Sequence, residues 1–186
     1  MLEREVKLRF GSAQEARAAV LAIGATPVGG RRFQDDALFD NEREELRERR
    51  CALRLRREEA RSYLTFKGPV QPGPMKLREE LETAVSDAGV LQRVLEHLDL
   101  RVWFRYQKYR EEYALDGVVV AVDETPIGTF VELEGTEAGI TAAAAGLSRT
   151  TADYILDSYC GLFMKYREAL GFCGSHMIFD EPGRIT

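Results

Sequence analysis

The sequence predicts an α+β protein organised around one antiparallel sheet of about eight strands, curved or closed, with helices outside it. Three observations predict this. Runs with period-two alternation follow one another through most of the chain, joined by short turns. Helical patterns are few and lie between or after the strands. Each strand also carries its charges on one face, and that face is rich in Arg and Glu rather than Thr, Ser and Gln.

The first ten residues set the pattern. Glu3, Glu5, Lys7 and Arg9 share one face, and Leu2, Val6, Leu8 and Phe10 the other. Ser12 followed by Glu15 is a capping-box pattern, and a helix is expected over 13–23, stopped by Gly24. An extended segment is expected over 28–40. The charged stretch 41–49 reads as a solvated surface with a short helix. Strands over 51–57 and 62–67 form a hairpin around Glu59-Ala60-Arg61. Gly68-Pro69 and Pro72-Gly73-Pro74 mark a loop. A strand over 76–84 leads to a helix capped by Ser86 or Asp87 and ending near Leu98. The long strand 101–113 pairs with 118–123 through Asp116-Gly117, a strong hairpin signal. A strand over 129–134 and helices over 137–146 and 152–170 complete the domain, set at 1–170. The tail, 171–186, receives no role. Within it Gly174-Ser175-His176-Met177 resembles a cloning remnant.

Composition narrows the function. At 186 residues, 45% apolar and 31% charged, the chain can build one good core. A net charge of −5 gives no reason to expect nucleic acid or anionic membrane as partner. No apolar run is long enough to span a bilayer. Three cysteines without metal-type spacing suggest a reduced, cytoplasmic protein, with Cys51 as a small core residue. A monomer or homodimer is expected.

The recurrent charged face carries the chemistry. After the first strand it continues with Arg54 and Arg56, then Thr65 and Lys67, then Arg78, Glu80 and Glu82. Lys108 and Arg110, Asp123, and finally Glu132 and Glu134 follow. Taken alone, this also describes an antiparallel sheet with one wet face. However, acid pairs sit in the first and last strands and most bases lie between them. That segregation suits a closed barrel in which one wall binds cations and the other an anion. Two Glu-x-Glu pairs form a hard, all-oxygen donor set suited to Mg2+ or Mn2+. Arg and Lys are the usual partners of phosphate. There is no Walker loop and no G-x-G-x-x-G, so side chains would have to hold it. Both histidines, His97 and His176, fall outside this face.

These motifs resemble, in order, those of the CYTH superfamily, the triphosphate tunnel metalloenzymes. Glu3-Arg4-Glu5-Val6-Lys7 matches E-x-E-x-K. Asp36 to Asp40 resembles D-x-Y-F-D, with Leu38 at the usual Tyr position, a change that bears on packing or substrate fit. Ala52-Leu53-Arg54-Leu55-Arg56 resembles A-L-R-x-R, Thr65-Phe66-Lys67-Gly68-Pro69 matches T-x-K-G-P, and Arg78-Glu79-Glu80-Leu81-Glu82 resembles R-x-E-x-E. Lys108-Tyr109-Arg110, Asp123 and 128–134 complete the series, and Ser158-Tyr159 falls in a late helix where the family often has Ser-Tyr. The resemblance implies a closed eight-stranded antiparallel β-barrel, a tunnel, with helices packed outside. It implies Glu3, Glu5, Glu132 and Glu134, assisted by Asp123, as ligands of Mg2+ or Mn2+. It implies Lys7, Arg54, Arg56, Lys67, Lys108 and Arg110 as phosphate ligands. Arg78, Glu80 and Glu82 would orient those bases or help position a nucleophile, which makes Glu80, Glu82 and Asp123 the catalytic candidates and adds Arg78 to the substrate-binding set. The expected activity is metal-dependent hydrolysis of a triphosphate-bearing small molecule, because no adenine-binding signature is recognisable. Alternatives are a class IV adenylyl cyclase and a non-catalytic polyphosphate or nucleotide sensor.

Overall fold

A computed structural model describes residues 2–179. Its strands are β1 (Leu2–Phe10), β2 (Thr26–Pro27), β3 (Arg32–Asp40), β4 (Ala52–Glu58), β5 (Arg61–Lys67), β6 (Lys76–Val85), β7 (Arg101–Leu115), β8 (Val118–Thr125) and β9 (Gly128–Glu134). They pair antiparallel in the order β2-β7-β3-β4-β5-β6-β1-β9-β8, and a β7–β8 ladder closes the ring. Eight strands form the barrel, and the two-residue β2 is an extra strand on β7. The helices are α1 (Ala13–Ala22), α2 (Glu45–Glu48), α3 (Ala88–His97), α4 (Glu137–Gly146) and α5 (Tyr159–Tyr166).

Local chemistry explains the boundaries. Ser12 Oγ accepts the Glu15 N–H at 3.1 Å, and Glu15 accepts in return from Gly11 N–H at 3.1 Å, fixing the start of α1. Asp87, rather than Ser86, caps α3 by accepting from Val90 N–H. Asp116 and Gly117 both adopt positive φ, as a tight two-residue hairpin matched to the strand twist requires.

Alternation then sorts the side chains. Val6, Leu8 and Phe10 of β1 pack outside the barrel in a core with Ala16 and Val20 of α1 and Ile140 and Ala144 of α4. Ala37, Phe39 and Leu55 form a second outer core beneath α3 with Leu95. A third core, with Leu38, Phe104, Tyr106 and Phe130, takes Tyr159, Leu162 and Phe163 of α5.

Three expectations need correction. The helix expected over 152–170 is broken into a short 3₁₀ turn (Thr151–Asp153) and α5. Between them Ile155 exchanges backbone hydrogen bonds with Lys7, at 3.1 and 2.9 Å, so a tertiary pairing overrides local helix propensity. The extended segment 28–40 starts as a strand only at Arg32, after Gly29-Gly30. The stretch 41–49 is not only a solvated surface. Asp40 accepts from the N–H groups of Asn41, Leu46 and Arg47, pinning α2 beside the barrel. The tail, too, is engaged. Met177 is fully buried and bridges Tyr106, and His176 Nδ1 accepts from Arg105 N–H. Residues 180–186 of the tail lie outside the described residues.

Candidate active site

The barrel register brings the charged residues together. Glu5 lies opposite Glu134 and Lys7 opposite Glu132 across β1–β9. Glu3 lies opposite Arg78 across β1–β6. Lys67 faces Glu80 and Thr65 faces Glu82 across β5–β6. Arg110 faces Asp123 across β7–β8. Apart from Asp123, every site residue expected from the sequence lines one cavity of about 1080 Å3.

Asp123 lies behind that wall. It is fully buried and accepts from Lys108 Nζ at 2.7 Å, from Arg110 Nε and Nη2 at 2.7 and 2.6 Å, and from Tyr159 OH at 2.7 Å. Its oxygens are committed to these donors, so it positions cations rather than facing a ligand. Asp36 does the same on β3. It is fully buried and takes a two-point contact from Arg56 at 2.9 and 3.2 Å. Arg54 donates to Thr65 Oγ1 at 3.0 Å and to Glu82 at 3.3 Å, and Thr65 donates to Glu82 at 2.8 Å. The Arg54 Nε stands 3.5 Å from Asp36 without hydrogen-bond geometry, a buried donor left over in the basic wall of the cavity.

The acid clusters are also occupied. Lys67 bonds both Glu3 oxygens at 3.0 Å and pairs with Glu80, and Arg78 reaches Glu3 at 3.3 Å. Glu5 takes Lys7 at 3.3 Å and Lys76 at 2.5 Å. Glu132 takes Lys7 at 3.2 Å and pairs with Arg110. Burial opposes the charged form of Glu5, but Lys7 and Lys76 hold its carboxyl well below the usual range. Among the described residues, no three His, Cys, Asp or Glu side chains stand together as a group that could hold a metal ion. Glu134 differs. Among the described residues no hydrogen bond or ion pair reaches its side chain. Desolvation, then the Glu3, Glu5 and Glu80 carboxylates, push it up to about 7, although the residue keeps access to solvent. An acid raised by neighbouring acids and lacking a cation partner suits a divalent ion, and the donor set is all oxygen.

Sequence reasoning missed Lys76 and Tyr106, and it named Asp36 and Tyr159 only within family motifs, without a role in the site. Lys76 is buried in the cavity wall and shares the parity of Arg78, Glu80 and Glu82, so the alternation could have found it. Asp36 shares the parity of Leu38, which lines the cavity. Tyr106 lies two residues before Lys108 on β7, in the parity of the tunnel-facing bases, and it too lines the cavity. Tyr159 enters from α5, and no strand pattern could place it. Arg9 is exposed at the far end of β1, where it donates to the Ile127 carbonyl at 3.2 Å rather than pairing with an acid.

The sequence matches the profile of the CYTH domain over residues 1–159. The chain belongs to the CYTH family. A Methanocaldococcus jannaschii protein named "Putative adenylate cyclase MJ0240" is 27% identical over 135 residues, covering 72% of this chain and 77% of that protein. The solved structure of a conserved hypothetical protein from Pyrococcus furiosus superposes with a TM-score of 0.72 at 23% identity, over 84% of this chain and 97% of that one. The Hippeastrum protein HpAC1, described as having a dominant triphosphatase activity, superposes with a TM-score of 0.63 at 18% identity, over 90% of this chain and 95% of that one. At these identities the structural likeness concerns the fold. No helix among the described residues is long and apolar enough to cross a membrane.

Proposed function

We propose that this CYTH protein hydrolyses a triphosphate-bearing small molecule, namely inorganic tripolyphosphate, thiamine triphosphate or a nucleoside triphosphate, with Mg2+ or Mn2+. One observation carries the reading. Lys7, Arg54, Arg56, Lys67, Lys76 and Lys108 are all buried around a single cavity that also holds the two Glu-x-Glu pairs. Buried cations at this density are costly unless paired; carboxylates pair them here, and a triphosphate is the matching polyanion to which they can turn.

The chain's own residues divide the work. Lys108 and Arg110, held by Asp123, and Arg54 and Arg56, held by Asp36, form one phosphate-binding wall. Lys7 and Lys67 form the other and are now tied to acids. As these amines turn to phosphate oxygens, Glu3, Glu5 and Glu132 each lose one cation while Arg78, Lys76 and Arg110 stay with them, and their freed oxygens join Glu134. Anion binding therefore prepares the acids for a cation. A Mg2+ or Mn2+ ion held there would neutralise phosphate charge and lower the pKa of a bound water. Glu80 and Glu82 orient Lys67 and Arg54, and Arg78 steadies Glu3.

The test is incubation with Mg2+ or Mn2+ and, separately, tripolyphosphate, thiamine triphosphate and ATP. Phosphate is the expected product. Cyclic AMP and pyrophosphate as the main ATP products would overturn hydrolysis in favour of cyclisation, the reading that the name of the archaeal relative supports. Binding without turnover would mean a sensor.

Two further results are expected. Lys67→Ala should raise KM or Kd for tripolyphosphate by about tenfold or more, as loss of a charge-assisted contact implies, with a smaller effect on kcat. The second concerns pH. Burial, then Arg110, lowers the Lys108 ammonium to about 8. Above that pH the amine is neutral and attracts phosphate less. Metal-free tripolyphosphate affinity should therefore fall between pH 7 and 9, and titration calorimetry should show proton uptake on binding near pH 8. Burial, then Lys7, lowers the Lys76 ammonium to about 8 as well, so Lys108→Arg, which stays charged, should lessen the decline without removing it.

A further inference from the structure

We propose that the tunnel mouth is shaped to hold the planar organic group of a triphosphate ester, with Trp103 as the residue that selects it over inorganic tripolyphosphate. The inference rests on the triphosphate reading above and goes beyond it by choosing the substrate class.

The first observation is a β-bulge. Along β3 and β7, Leu38 lies opposite Phe104 and Phe39 opposite Val102, so Trp103 has no partner across the ladder. On a regular strand Trp103 would point away from the tunnel face that carries Tyr106, Lys108 and Arg110. The bulge instead sets Trp103 and Phe104 on the same side. Trp103 thus lines the cavity and packs against the cluster containing Leu38 and Phe104. Bulges at barrel rims commonly re-aim a side chain in this way.

The second observation is how the indole is held. The Arg47 guanidinium lies 4.3 Å from the ring centroid. Arg47 is carried by α2, and Asp40 pins that turn and approaches Arg47 Nε at 3.4 Å. Leu38, Leu156 and Cys160 border the same cavity, and Leu38 and Cys160 belong to the cluster against which Trp103 packs. Leu38 is directly opposite Arg54 across β3–β4, so this apolar rim adjoins the phosphate-binding wall.

Chemistry separates the two substrate types. Inorganic tripolyphosphate offers only anionic oxygens and gains nothing from an indole and a leucine. A triphosphate ester with a heteroaromatic group gains stacking and apolar burial there. The cavity volume of about 1080 Å3 leaves room for such a group beyond the phosphates.

The test compares kcat/KM for ATP and thiamine triphosphate with that for tripolyphosphate. Trp103→Ala should lower the organic-to-inorganic ratio by about tenfold, in line with loss of a stacking surface, and Trp103→Phe should restore most of it. An unchanged ratio in Trp103→Ala overturns the proposal. Trp103 is the only tryptophan in the chain, so its emission gives a second measurement on the wild type should the variant fail to fold. Saturable quenching by ATP or thiamine triphosphate that exceeds any change with tripolyphosphate supports the proposal, and an equal or absent response overturns it. Wild-type protein that turns over tripolyphosphate alone refutes this inference while leaving the triphosphatase reading intact. Turnover of none of the three refutes both.

Discussion

Glu134→Gln should all but abolish metal-dependent turnover, with a loss of about a hundred- to a thousandfold, the scale expected when a charge-stabilising group is removed. The fold should survive. Glu134 is exposed, its side chain makes no hydrogen bond or ion pair among the described residues, and it is opposed by Glu3, Glu5 and Glu80. Removing its charge relieves that repulsion, so the melting temperature should stay level or rise. The two measurements together separate a ligand from a structural acid. Undiminished activity would refute the proposed cation site, and a large drop in Tm would point to a structural role instead. The metal-free protein should still bind tripolyphosphate, because the anion meets the basic wall first.

Asp123→Ala should have the largest effect on stability. Its carboxylate answers Lys108, Arg110 and the Tyr159 hydroxyl in a fully buried position. Removing it leaves the buried Lys108 without its ion-pair partner and Arg110 with Glu132 alone, and such losses cost about 3–5 kcal/mol. For a chain of this size that corresponds to a fall of roughly 10 °C in melting temperature. Asp123→Asn should cost less, since it keeps part of the hydrogen bonding. Binding of tripolyphosphate should weaken in both variants because Lys108 and Arg110 lose their orientation. A melting temperature unchanged in Asp123→Ala would contradict the role assigned to it. This expectation differs from the one drawn from sequence, which placed Asp123 among the metal ligands and catalytic groups.

That difference shows how far a linear reading reaches. Period two identified the tunnel face, because Glu3, Glu5, Lys7, Arg54, Arg56, Lys67, Lys108, Arg110, Glu132 and Glu134 all share the parity that the barrel turns inward. It did so because alternation is a local property of an extended chain. It did not say how deep each residue lies. Asp123 and Glu132 have the same type of charge in neighbouring strands, yet one is sealed behind Tyr159 and the other borders the cavity. Tyr159 arrives from a helix far along the chain, and the break before that helix depends on the pairing of Ile155 with Lys7. Neither contact has a local signature. Trp103 is a sharper case. Its parity points it outward, and only the slip in register against Leu38 and Phe39 brings it to the mouth.

The order of charges, their alternation and the turn at Asp116-Gly117 were enough to specify an antiparallel sheet with one charged face and two acid pairs, because each is written in neighbours along the chain, whereas closure into a barrel was implied by the family resemblance. Ring closure decided which opposite charges meet. It set Lys7 between Glu5 and Glu132, buried Asp123 beneath Lys108 and Arg110, and left Glu134 without a cation. Those outcomes depend on strands distant in sequence meeting at a fixed register, and the same side chains in another register would make different pairs.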